Sequence, residues 1–108
     1  MVQIEQKNGD LVVYLKGELT YENTNEIKEE IKTYITKDTQ RIIIELSELE
    51  LIDSSGVGVF ISLLRRMQGE GVFLVAPQPK VARIFEITKL NQIIPIYAKI
   101  EEAGNEMA

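Results

Sequence analysis

"RIIIELSELELIDSSGVGVFISLL" (residues 41–64) holds two periodicities in one stretch. "RIIIEL" (41–46) is a continuous apolar run, the pattern of a strand buried on both faces. From Asp53 onward the apolar residues recur at helical spacing instead. A buried strand running straight into an amphipathic helix predicts a parallel sheet with right-handed crossovers. The helix opens with two serines and two glycines. Gly56 and Gly58 each cost about 0.8–1 kcal/mol relative to alanine inside a helix, less for Gly56 if it lies in the first turn. Something must require small residues there.

Reading outward, "QGEG" (68–71) stops this helix and "VFLVA" (72–76) is a second buried strand. "PQPKVARIFEITKL" (77–90) places Val81, Ile84, Phe85 and Thr88 on one helical face, with Pro79 at a first helical position that can spare its N–H. "IIPIYA" (93–98) is a short extended piece, and "IEEAGNEMA" (100–108) reads as a terminal helix. Upstream, "VQIEQ" (2–6) and "LVVYLKG" (11–17) flank Asn8-Gly9, a hairpin signal. "ENTNEIKEEIKTYITK" (22–37) sets Ile27, Ile31, Tyr34 and Ile35 on one helical face, and Asn23 with Glu26 reads as a capping box. The expectation is one α/β domain over residues 1–108. It has a mixed sheet of four or five strands, with helices packed mainly on one face and "RIIIEL" and "VFLVA" as inner parallel strands.

Composition narrows the chemistry. The 108 residues contain no cysteine and no histidine. That excludes a Ser-His-Asp hydrolase, thiolate chemistry and any metal site built on histidine or cysteine. A carboxylate enzyme stays open, but no catalytic residue, metal or cofactor is expected. The net charge of -5 argues against nucleic acid, which needs a basic footprint. "MVQIEQKNGD" is no signal peptide, and no apolar run is long enough to span a bilayer. The chain is expected in the cytoplasm, with other proteins as partners and no membrane.

On a helical projection from Ser54, residues Val57, Phe60, Ile61, Leu64 and Met67 share the arc expected to face the sheet. Ser54, Gly58, Ser62 and Arg65 share the opposite side, Ser55 and Arg66 flank them, and Val59 and Leu63 form an apolar shoulder. Small residues on an outward stripe let another backbone approach. Two readings of "DSSG" stand side by side. In one, Asp53 or Ser54 caps the helix and the glycines serve tight packing. In the other, a serine at the helix N-terminus carries a phosphate, which the dipole there tolerates.

Three stretches, "LKGELTYEN" (15–23), "IIIELSELELIDSSGVGVFISLLRRMQGEG" (42–71) and "RIFEITKLNQIIPIYAKIEEA" (83–103), resemble the STAS-domain family in order. The resemblance is to its stand-alone bacterial anti-sigma-factor antagonists. It implies a protein that, when dephosphorylated, binds an anti-sigma factor that is also a serine kinase and so frees a sigma factor. The kinase then phosphorylates the serine after the Asp, and a PP2C-type phosphatase restores it. Carried over, the phosphoacceptor is Ser54, with Ser55 second. The implied partner contacts are Glu18, Thr20, Asp53, Ser54, Ser55, Gly56, Gly58, Val59 and Ser62. The chain departs from the family pattern at Thr20, where Asp is usual, and at Lys89, where a glycine usually ends a helix. Three other classes share the fold: a phosphoacceptor of another partner-switching or stress-sensing pathway, a ligand-binding domain without a phospho-switch, and a carboxylate enzyme.

Overall fold

The computed structural model describes residues 2–102. Strands β1 (Val2–Lys7) and β2 (Asp10–Leu19) form the opening hairpin. Asn8 and Gly9 turn it with φ of 51° and 90°, the two left-handed residues a type I′ turn needs. The chain continues through α1 (Thr24–Thr33), β3 (Arg41–Ile52), α2 (Ser54–Arg66), β4 (Val72–Val75), α3 (Pro79–Ile87) and β5 (Ile96–Tyr97). The sheet order is β1-β2-β3-β4-β5; only the first pair is antiparallel. As expected, β3 and β4 are inner parallel strands.

Right-handed crossovers that advance steadily across a sheet leave their helices on one face. Ile27 and Ile31 of α1, Phe60 and Leu63 of α2, and Val81 and Phe85 of α3 accordingly share one core with Leu11, Val13, Ile42, Ile44 and Leu74 of the sheet. The Phe60 and Phe85 rings meet edge-on, 6.0 Å between centroids. On the other face Ile43, Phe73 and Val75 form a smaller cluster against Tyr97 and Ile100. At the start of the β2–β3 pair, the Arg41 guanidinium donates to both carboxylate oxygens of its register partner Asp10, at 2.6 and 2.5 Å.

Three elements differ from expectation. β3 continues past Leu46 to Ile52. β4 pairs with it only as far as Glu45, so the rest of β3 is held by β2, through Glu18↔Leu51 and Leu19↔Ile52. Register shifts between Tyr14 and Lys16 and between Gly17 and Glu18 break the alternation. Burial then falls on Leu46, Leu49 and Ile52, which does not read as a strand. α1 is shorter than 22–37, and no capping box forms. The Asn23 side chain turns back instead: its Nδ2 donates to the Glu18 carbonyl (2.8 Å) and its Oδ1 accepts the Thr20 N–H (3.0 Å). α3 stops at Ile87, and Lys89 adopts the left-handed conformation, φ 63°, that the usual glycine would take without strain. A helical turn opens at 100–102; the rest of the expected terminal helix lies outside the described residues.

Candidate functional site

The ends of β2 and β3 and the start of α2 meet at Asp53. Its backbone is extended, φ -115° and ψ -175°, and it is the N-cap of α2. One carboxylate oxygen accepts the Gly56 N–H at 3.1 Å, as a helix cap does. The other accepts the Tyr21 N–H at 3.0 Å, which ties the turn after β2 to the start of α2. Partial burial pushes the Asp53 pKa up. Hydrogen bonds from the Tyr21, Gly56 and Ser55 N–H groups and the Ser55 hydroxyl outweigh it, so the net value lies below the ordinary 3.8.

Ser54 is exposed as the first residue of α2. Ser55 is half-buried. The two glycines separate completely. A Cβ on Gly56 would lie 2.5 Å from Ile52 Cγ1 and 2.7 Å from the Leu19 carbonyl oxygen, so glycine is what lets α2 start this close to the sheet. A Cβ on Gly58 would meet nothing within 4 Å. The capping and close-packing reading of "DSSG" therefore holds for Asp53 and Gly56, while Gly58 stands on the open side of the helix.

The outward stripe is present: Ser54, Gly58 and Arg65 are exposed and Ser62 is half-buried. Its expected apolar shoulder is not. Val59 is 2% exposed and Leu63 fully buried, while Ile61, Leu64 and Met67 are only partly covered. α2 packs against α1 as well as the sheet, which turns its buried arc toward Val59 and Leu63. Val59 is thus a core residue and no partner contact. Gly56 is buried too, and Thr20 is nearly so, which places both beneath the surface; Glu18 is exposed beside it. Tyr21 and Asn23 hold this corner together; from the sequence Tyr21 does not stand out and Asn23 reads only as a helix cap. An Asn in a turn that follows a Gly-containing strand end was the available signal. Among the described residues no group of three or more carboxylates is placed to hold a metal ion, and no helix is long and apolar enough to cross a membrane.

Residues 1–103 match the STAS domain. The chain belongs to the STAS family. Within it the similarity is to anti-sigma factor antagonists. The anti-sigma-B factor antagonist of Listeria monocytogenes is 32% identical over 99 residues, covering 88% of this chain and 86% of that one. The crystal structure of the TM1081 protein of Thermotoga maritima is 30% identical, with a TM-score of 0.89, covering 97% of this chain and 92% of that one. The Bacillus anti-sigma factor antagonist SpoIIAA has been solved in two forms. The unphosphorylated form is 29% identical with a TM-score of 0.84, covering 99% of this STAS chain and 96% of that one. The phosphorylated form is 27% identical with a TM-score of 0.74, covering 100% of each. Antagonists of this kind are regulators and not enzymes.

Proposed function

We propose that this STAS protein is a phosphorylation-controlled anti-sigma factor antagonist acting in the cytoplasm. Dephosphorylated, it binds an anti-sigma factor that is also a serine kinase, and a sigma factor is released. The kinase transfers the γ-phosphoryl group of ATP to the Ser54 hydroxyl oxygen; ADP leaves and the hydroxyl proton is lost. A PP2C-type phosphatase hydrolyses the phosphate and restores the serine. The observation that carries this reading is the contrast between neighbouring serines. Ser54 is exposed behind a fixed cap, while Ser55 is half-buried. The stripe of Ser54, Gly58 and Ser62 supplies a face on which another backbone can settle.

The phosphate would add about -1.5 to -2 charges at a helix N-terminus, which the dipole tolerates. The fold therefore survives, and the partner, shaped around a neutral serine, is repelled. The test is incubation of the purified chain with the host's anti-sigma factor kinases and Mg-ATP, read by intact mass and phosphopeptide mapping. One added phosphate on Ser54 is the expected result. A phosphate mapped to Ser55, Ser62 or Thr20 removes the assignment.

A further inference from the structure

We infer that Tyr21 and Leu51 anchor the partner on this surface, and that the partner is a protein offering an apolar pocket edged with Lys and Arg. The inference rests on the Ser54 end being a docking surface and deepens that reading. Tyr21 is 76% exposed, more than any other large apolar side chain described. What ties this residue to the fold is its main chain, through the N–H that Asp53 accepts. Leu51 is 48% exposed. It stands opposite Glu18 in the register, one residue before buried Ile52. The two residues thus lie next to Asp53, Tyr21 through its main-chain N–H and Leu51 two positions back along the chain. Neither is needed by the core. Tyrosine is enriched among the residues that carry binding energy at interfaces, because it covers much area with few torsions to fix.

Charge selects the occupant. Residues 17–27 and 42–64 contain no Lys or Arg. They carry Glu18, Glu22, Glu48 and Glu50, all exposed, around Asp53. Lys16 stands at the border, opposite Glu48 in the register. A second copy would bring the same sign to the same place on a chain of net charge -5. Nucleic acid and an anionic membrane are repelled for the same reason. A protein with a basic rim is attracted, and the attraction acts mainly on the rate of encounter.

The experiment measures association and dissociation of the unphosphorylated full chain with the host's purified anti-sigma factor kinase at two salt concentrations. Tyr21→Ala should weaken binding roughly tenfold or more, and Tyr21→Phe should keep it within about twofold. Leu51→Ser should weaken it in the same direction. The pair Glu22→Gln, Glu50→Gln should slow association several-fold at low salt and flatten its salt dependence. Circular dichroism confirms that each variant is folded. Tyr21→Ala binding as wild type, while Gly58→Leu is weakened, overturns the inference and leaves the docking stripe standing. Equal binding by both variants brings down both. A dimer in sedimentation equilibrium that Tyr21→Ala abolishes also overturns it, by giving the patch to a second copy.

Discussion

Gly56 and Gly58 look alike in the sequence and should respond oppositely to the same change. Gly56→Ala drives a methyl into the Leu19 carbonyl, which is backbone and cannot swing aside. A loss of roughly 1–3 kcal/mol is expected. Gly58→Ala enters open space and recovers helix propensity, a gain of up to about 1 kcal/mol. Urea denaturation checks both signs: the midpoint falls for the first variant and rises for the second. The sequence marks both glycines as out of place in a helix. It does not sort them, because the sorting is done by Leu19, a neighbour only in the folded state. Asp53 gives a pH test at the same scale. Its folded pKa lies below 3.8, so above the unfolded value the carboxylate contributes its full stabilisation. As pH falls through the folded value, that contribution is lost. Asp53→Asn keeps one carbonyl oxygen and has no proton to take up. The stability difference between wild type and this variant should therefore be present at pH 7 and shrink below pH 3.8, read by denaturation at each pH and by following the Asp53 carboxyl carbon by NMR.

At the scale of the element, α2 decides how the outer and inner residues divide. A helix with a second helix beside it buries more than the arc that faces the sheet, which is why Val59 and Leu63 are inside. Leu63→Ala should cost about 2–5 kcal/mol of stability. Ser62→Ala, one position away on the outer side, should stay within about 0.5 kcal/mol. Thermal melts of the pair distinguish the observed orientation from the one helical projection suggests, in which Leu63 is a dispensable shoulder. The inner strands and the hairpin were legible because each rests on a local signal: apolar continuity in "RIIIEL" and "VFLVA", and the Asn8-Gly9 turn. The second half of β3 was not. Its burial repeats every third residue because β3 carries the extra residues of two register shifts against β2, and a bulge is defined only by the pairing with that other strand. Asn23 likewise reads as a cap for the helix after it, but the free carbonyl of Glu18 behind it wins its side chain. Asp53 was legible as a helix cap, while the surface around it was only half so. Tyr21 reads as an ordinary turn residue until β3 and α2 are set beside it.

For the whole molecule, the switch should work without refolding. A charge at Ser54 sits where a helix accepts it, yet it adds to an end already rich in carboxylates. Like charges brought together at an interface cost several kcal/mol, on the order of what separates tight binding from none. Ser54→Asp should match wild type in circular dichroism and melt within a few degrees of it, while its affinity for the kinase falls steeply. Ser54→Ala should still bind and accept no phosphate. Extensive backbone NMR shifts outside residues 53–62 on phosphorylation would instead make the switch conformational. The strand order carries a different consequence. Each strand lies beside its neighbour in sequence, so no later strand has to be inserted between two that have already paired. The corner around Asp53 is built from residues 18–66, and β4 and β5 join afterwards on one side. On the ribosome, where the N-terminal part emerges first, β2, β3 and α2 are all available for pairing before Tyr97 is made. The two-residue β5 at the last edge is held by the shortest ladder in the sheet, so local opening begins there, while the corner around Asp53 stays closed.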